Sequence, residues 1–338
     1  MVSKKVIGGI VAIIVIAAII GSIALIYTPT PSGEQVTLMF GYTPNVGYAP
    51  FYTAAAKGFY AEEGLNVSFQ YSSEGGVGVM KQLSAGKVEF GYGGDSTVVI
   101  ARTQGMPIVC VQTIIPNNLF RIIAREGSNI TEPADLIGKK IVTIAPAGAV
   151  TQNIQLILHK SGIKSEDVTF IYAGGGLIST FLSGEGDAMG AYLPQQVIAE
   201  SISGEKMNVI YGKDYTTVGK TYLYTTEKMI KEHPDIVRKF VRATQKGLEY
   251  SIEHPEEAVD AFIKYNPDAA EKRELHLAIW KAMIEEGFDR DAEGNVIFKL
   301  PSDDNWIEKQ DDLYIIGAID KKIDISKAYT DEFVRDLI

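Results

Sequence analysis

The chain carries one cysteine, Cys110, among 338 residues, and a lone thiol forms no internal disulfide. It lies in the apolar run Pro107-Ile-Val-Cys-Val111, where a small buried thiol behaves as a core residue. Positive charge is also in deficit. Lys and Arg number 32 against 42 Asp and Glu, a net charge of −10. Nucleic-acid binding needs a basic face for phosphates, so that class is set aside. There are four histidines, His159, His233, His254 and His276. Two precede proline, in Glu232-His-Pro234 and Glu253-His-Pro255, a pattern that reads as helix starts. His-Glu-x-x-His and paired cysteines are missing, and no dedicated metal site is expected. Gly75-Gly-Val-Gly78 has no Gly-Lys-Ser/Thr after it and falls short of Gly-x-Gly-x-x-Gly, and no Gly-x-Ser-x-Gly elbow occurs. The expectation is a protein with no cofactor and no catalytic residues, and not an enzyme.

What is present begins with a long uncharged run. Met1 to Lys5 carries two positive charges, and residues 6–27 then hold none. At 1.5 Å per residue these 22 residues reach about 33 Å as a helix, enough to cross a hydrocarbon core. Nine Ile, three Val and one Leu in the run give roughly 4–8 kcal/mol of insertion. Lys4 and Lys5 precede the run, and no other Lys or Arg comes before Lys57. The positive-inside rule then puts the N-terminus in the cytoplasm and the body outside. Residues 1–27 are therefore expected to be a transmembrane anchor, with a cleaved signal sequence as the rival, since Ser22-Ile23-Ala24 is a weak small-x-small site. No cysteine follows to carry a bacterial-type lipid. Residues 28–35, opening Thr-Pro-Thr-Pro-Ser-Gly, read as a short stiff linker. Asn66-Val-Ser68 and Asn129-Ile-Thr131 match the glycosylation acceptor pattern, which agrees with an external body.

Hydrophobic content of 46% with 22% charge belongs to a globular body, and its length suits two lobes. From Val36 short β-prone runs alternate with amphipathic helical stretches, which is α/β patterning. Strands are expected at 36–40, 65–71, 88–92, 107–113, 120–124, 140–144, 168–172, 187–192, 208–211 and 221–225. Helices are expected at 50–63, 78–85, 97–104, 150–161 and 194–201. Past Glu227 the pattern is almost wholly helical, apart from 289–304. An internal echo stands out. Val67-Ser-Phe-Gln-Tyr71, Gly75-Gly76, Leu83-Ser-Ala-Gly86 and Gly91-Tyr92 recur as Val168-Thr-Phe-Ile-Tyr172, Gly174-Gly-Gly176, Leu182-Ser-Gly184 and Gly190-Ala-Tyr192. Each set is one right-handed βαβ unit, so two lobes share a plan.

In such sheets ligands sit beyond the carboxyl ends of the strands, where helix N-termini offer free N–H groups. Five loops fall at that edge. They are Gly41-Tyr-Thr-Pro-Asn45-Val-Gly-Tyr48, Gly93-Gly-Asp-Ser-Thr97, Ile115-Pro-Asn-Asn118-Leu-Phe120, Ala145-Pro-Ala-Gly-Ala-Val-Thr151 and Ala191-Tyr-Leu-Pro-Gln195. The candidate ligand-binding residues are Tyr42, Asn45, Tyr48, Gly94, Asp95, Ser96, Asn118, Ala147, Gly148, Ala149, Tyr192 and Gln195. Aromatics there offer flat, low-entropy surfaces to a planar ligand. Asp95 and Ser96 can equally serve as helix caps. These loops carry no Lys or Arg, although Arg121 is near.

The chain from about Val36 onward resembles the periplasmic substrate-binding proteins of thiamine-pyrimidine, sulfonate, taurine and nitrate uptake. The segments that carry the likeness are Ala49-Pro-Phe-Tyr52, Ala56-Lys-Gly-Phe-Tyr60-x-Glu-Glu-Gly-Leu65, Leu83-Ser-Ala-Gly86, Ala101-Arg-x-x-Gly105-Met-Pro107, Asp135-Leu-Ile-Gly-Lys139, Gly184-Glu-Gly-Asp-Ala188 and His233-Pro234. The resemblance implies an α/β, two-lobed type II periplasmic-binding-protein fold, with lobe I at 36–119 plus 222–338 and lobe II at 120–221. Crossings are expected near 118–120 and 213–222, and the C-terminal helices return to lobe I. It also implies hinge closure on a small molecule, an ABC permease with a cytoplasmic ATPase as partner, and a monomer. Tyr42-Thr-Pro44-Asn45 looks like the aromatic-x-Pro-Asn loop of pyrimidine-binding members, whereas Gln195 stands where an acidic residue is usual. A planar heterocycle is the expected ligand. A sulfonate, taurine or nitrate remains an alternative, as does a pyrimidine-synthesising enzyme of the same fold, whose chemistry is associated with a cysteine-rich motif absent here.

Overall fold

Residues 33–146 and 148–338 are described by a computed structural model. The expected N-terminal span at 1–27, most of the linker and Ala147 lie outside the described residues. Among those described, no helix is long and apolar enough to cross a membrane.

The elements follow the sequence pattern closely. The first half holds β1 (Glu34–Phe40), α1 (Ala49–Ala56), α2 (Phe59–Glu62), β2 (Leu65–Tyr71), α3 (Gly75–Ser84), β3 (Phe90–Gly94), α4 (Asp95–Thr103) and β4 (Ile108–Ile115). Next come β5 (Phe120–Arg125), β6 (Lys140–Thr143), α5 (Ala149–Lys160), β7 (Thr169–Tyr172), α6 (Leu177–Leu182), β8 (Ala188–Tyr192), α7 (Leu193–Ser203), β9 (Met207–Tyr211) and β10 (Thr221–Thr226). The C-terminal part is helical: α8 (Glu227–Glu232), α9 (Pro234–Glu253), α10 (Pro255–Tyr265), α11 (Arg273–Gly287) and α12 (Trp306–Ile315). The single helix expected at 50–63 is two. Gly58 adopts φ +84°, a left-handed conformation that ends α1 and turns the chain into α2. The proline-led starts at Pro234 and Pro255 are as the sequence suggested, with proline in the first turn of α9 and α10.

The strands form two five-stranded sheets, ordered β2-β1-β3-β10-β4 and β7-β6-β8-β5-β9. In the first, β1 runs parallel to β2 and β3, while β10 is antiparallel to β3 and β4. In the second, β6 runs parallel to β7 and β8, while β5 is antiparallel to β8 and β9. The two orders correspond strand for strand, so the echo in the sequence is a repeated βαβαβ plan. In each sheet the antiparallel strand is the one that follows a crossing of the chain between sheets.

Each sheet is covered on both faces. Val36, Leu38 and Phe40 alternate along β1 into one cluster with Phe51 and Ala54 of α1, Phe240 of α9 and Trp280 of α11, the period-2 pattern of a strand. The other face of that sheet packs Val79 and Leu83 of α3, Val98 and Val99 of α4, and Trp306 of α12. In the second sheet α5 covers one face through Ile154, Ile157 and Leu158, and α6 and α7 cover the other through Phe181 and Ala199. Helix α9 returns onto α1 so closely that a Cβ at Gly247 would stand 2.4 Å from the Pro50 carbonyl oxygen. Strand β4 ends its sheet, yet all eight of its residues are buried. The segment at Tyr329 covers it, with Thr330 N–H donating to the Cys110 carbonyl at 2.9 Å. An edge that would template another chain is thereby closed.

Candidate functional site

The carboxyl ends of six parallel strands converge with the helix starts that follow them. On the first sheet these are Phe40, Tyr71 and Gly94, feeding a 3-10 turn before α1, then α3 and α4. On the second they are Thr143, Tyr172 and Tyr192, feeding α5, α6 and α7. The first N–H groups of each helix have no backbone carbonyl within the helix to bind and point along this edge.

The first rim is aromatic. Tyr48 is buried and stacks on Phe40 with centroids 4.1 Å apart, and it meets the edge of Tyr92 at 5.5 Å. Burial pushes the Tyr48 phenol far up, with Tyr92, Tyr71 and Tyr42 adding to the shift and the Asn45 side chain opposing it. Tyr92 is raised to about 12 by burial, partly offset by its bond to the Thr221 hydroxyl at 2.9 Å. These phenols are therefore neutral hydrogen-bonding groups at physiological pH. Tyr42 is 50% exposed at the mouth. Asn45 is used locally: its Oδ1 accepts from Gly47 N–H at 3.0 Å and its Nδ2 donates to the Thr43 carbonyl at 2.9 Å. Gly94 precedes α4 in extended conformation, and Ser96 is buried in the first turn.

On the second rim, Gly148 and Ala149 are half-buried at the start of α5. Tyr192 is half-buried at the start of α7 and packs edge-on against Phe120 at 5.5 Å. Gln195 accepts the Tyr192 N–H at 3.2 Å and so fixes that turn. The rims meet. Burial and the charge of Asp95, which belongs to the first rim, both raise the Tyr192 pKa. Leu193 of α7 is buried in the cluster that contains Phe40, Tyr48 and Tyr92.

Asp95 and Asn118 are both buried and engaged inside the fold. Asp95 is 1% exposed. Its carboxylate accepts from Lys309 Nζ of α12, from Gly219 N–H at 3.0 Å and from Ser96 N–H at 2.8 Å. Lys309, 0% exposed, also donates to the Thr217 carbonyl at 2.7 Å, and it lies 3.9 Å from Asp304, which holds Lys220 and the Tyr222 hydroxyl. Asn118 ties the two crossings, accepting from Phe120 N–H at 2.8 Å and donating to the Thr216 carbonyl at 3.2 Å. Arg121 is equally committed. It is 1% exposed and makes a two-pronged contact with Glu286 of α11 at 2.9 and 3.4 Å, with a further bond to Gln196 at 2.6 Å.

Sequence reasoning missed Tyr71, Tyr92, Glu286 and Lys309. The echo gave a signal for the first two, which stand at the positions in β2 and β3 that Tyr172 and Tyr192 hold in the repeated unit. Nothing local marks the last two, which reach the site from far along the chain. The expectation that no Asp-x-Asp calcium loop occurs needs correcting, since Asp289-x-Asp291-x-Glu293-Gly294 has that acidic spacing. Here Asp289 is held by Lys299 at 2.5 Å and by Asn117, and Asp291 by Asn295. Among the described residues no group of three or more His, Cys, Asp or Glu is arranged to hold a metal ion. Two grooves of about 420 and 410 Å³ border α12, one at its start and one between its end and that of α5. Neither is lined by the rim residues.

Two mirrored α/β sheets joined by paired crossings define the periplasmic-binding-protein architecture. The solved sulfonate-binding protein SsuA of Escherichia coli shares it, with a TM-score of 0.70 at 16% identity over 88% of this chain and 92% of that one. The chain belongs to the NMT1/THI5-like family, which matches residues 45–258. It is 26% identical to the riboflavin-binding protein RibY of Chloroflexus aurantiacus, over 90% of this chain and 87% of that protein. It is 24% identical to a formylaminopyrimidine-binding protein of Halalkalibacterium halodurans, over 70% and 72% of the two chains. A 4-amino-5-hydroxymethyl-2-methylpyrimidine phosphate synthase of Saccharomyces cerevisiae is 25% identical over the same shares.

Proposed function

We propose that this chain is the extracytoplasmic solute-binding component of an ABC importer, and that it captures an uncharged planar heterocycle. Lobe I (36–119 with 222–338) and lobe II (120–221) close on the ligand as a monomer. Residues 1–27 anchor the body to the membrane, and a permease with its cytoplasmic ATPase takes the cargo. One observation carries the ligand class. Tyrosines and helix starts form the rims, while the buried charges beside them, Asp95 and Arg121, are already paired with Lys309 and Glu286. A fully charged sulfonate or nitrate is bound best where a cation is free to meet it, and Arg121 is not. The exposed Tyr42 and half-buried Tyr192 rings supply stacking surface, and the N-termini of α5 and α7 supply N–H donors for ring carbonyls and ring nitrogens.

The pyrimidine reading draws support from the formylaminopyrimidine-binding relative. A flavin is the second reading, because the riboflavin-binding relative matches 90% of this chain. Calorimetric titration of the purified body with hydroxymethylpyrimidine, formylaminopyrimidine, riboflavin, taurine and ethanesulfonate separates them. We expect heat from at least one heterocycle and none from the sulfonates; binding of the sulfonates alone would refute the proposal. Synthesis is the competing activity, given the yeast relative. Cys110, the chain's one cysteine, is buried with its thiol pKa pushed up, which speaks against a thiolate role in such chemistry.

A further inference from the structure

We propose that Glu286 and Lys309, two residues of the C-terminal helices, are internal counter-ions that cancel Arg121 and Asp95 beside the rims and thereby fix the charge class of the ligand. This deepens the reading of an uncharged ligand and rests on it. Arg121 lies in β5 directly opposite Ala191, one residue before the rim, and its neighbour Phe120 is paired with Tyr192. Its guanidinium reaches Gln196, adjacent to Gln195 on α7, and the Leu119 carbonyl, which also accepts the Leu193 N–H at 3.1 Å. The Asp95 charge is felt by the Tyr192 phenol from the opposite rim. Asp95 thus acts on Tyr192 itself, while Arg121 is bonded to α7, the helix that Tyr192 opens.

A guanidinium stays protonated in a protein, so burial does not silence it. Within a region this dry an unmatched charge draws an ion of the opposite sign. Neither lobe supplies the match from its own βαβ units. Glu286 comes from α11, 165 positions from Arg121, and Lys309 from α12, 214 positions from Asp95. The cleft charge is thus set by residues that line no rim, and removing one of them converts the ligand class without touching the aromatic surface.

The test is Glu286→Gln in the full chain, chosen because the Glu286 side chain is 31% exposed and its loss is the mildest of the four. Ethanesulfonate is titrated by calorimetry against wild type, Glu286→Gln and Arg121→Met/Glu286→Gln. Ethanesulfonate affinity is expected to rise at least tenfold in the single variant and return to the wild-type level in the double. A folded single variant, with native circular dichroism, that gains nothing for the anion overturns the proposal, as does a gain that persists without Arg121. Should Glu286→Gln fail to fold, Arg121→Gln leaves the Glu286 carboxylate unmatched. It is then expected to favour ethylammonium over ethanesulfonate at least tenfold, and an absence of preference overturns the proposal. Failure of wild type to take any heterocycle would instead defeat the ligand reading and leave the charge switch to be judged by these variants.

Discussion

At the scale of single residues, polar groups near the rims do two jobs, and burial decides which. Tyr42 at half exposure is available to a ligand, while Asp95 at 1% is part of the frame. Truncating Lys309 to Met leaves the Asp95 carboxylate buried and uncompensated. Such a loss costs about 3–5 kcal/mol, to be read as a lower denaturant midpoint. Asp95→Asn/Lys309→Met should recover much of that, since no lone charge then remains. The tyrosines give a pH prediction. Burial raises Tyr48 and Tyr92 above the ordinary 10, Tyr92 to about 12. A raised folded-state pKa contributes stability that is complete below the unfolded value and lost as pH climbs through the folded one. Unfolding monitored from about pH 9 to 12 should show stability falling above the ordinary phenol value, with part of the tyrosinate absorbance withheld until the fold is lost. Full tyrosinate absorbance in the native state would contradict the burial. At acid pH the sign reverses for Asp289, whose carboxyl is held low by Lys299 and Asn117. Its contribution is present above the ordinary carboxylate range and lost as pH falls below it.

At the scale of elements, helix packing turns on close approach and ring stacking. Gly247 of α9 lets the helix lie on α1, and the Cβ of Gly247→Ala would fall 2.4 Å from the Pro50 carbonyl oxygen and 2.6 Å from the Ala54 Cβ. Overpacking of this kind costs about 1–3 kcal/mol, and a drop in melting temperature checks it. Phe240 of α9 stacks on Phe90 of β3 at 4.0 Å and on Tyr60 at 4.9 Å. Phe240→Ala should cost about 3–5 kcal/mol and free α9 from the sheet. Most elements were legible in advance, because alternation at Val36, Leu38 and Phe40 and helical spacing in α5 are written locally. The break at Gly58 was not. A left-handed glycine reads the same in sequence as one inside a helix, and only the path to β2 requires the turn.

For the whole molecule, α12 spans both sheets. Lys309 binds Asp95 of α4, and three residues on, Asp312 meets Lys160 of α5 at 2.6 Å and the Thr216 hydroxyl at 3.1 Å. One helix face thus braces the first sheet, the second sheet and a crossing together. Lys160 is 34% exposed, which makes it the arm best able to let go as the proposed lobes move. Lys160→Met should broaden the separation of spin labels placed at Lys87→Cys and Ser165→Cys, with buried Cys110 left unlabelled. An unchanged distance distribution would remove α12 from the hinge.

By itself the sequence determined the α/β class, the doubled βαβ plan, the places where strands give way to helix starts, and the excess of tyrosine and scarcity of cation along that edge. All are local properties, carried by periodicity, glycine and proline within a few residues. Tertiary structure alone decided which polar residues face inward and which ion finds which partner. Asp95 and Lys309 stand 214 positions apart. Pairing at that range depends on how packed helices return to a sheet, and no local pattern encodes it.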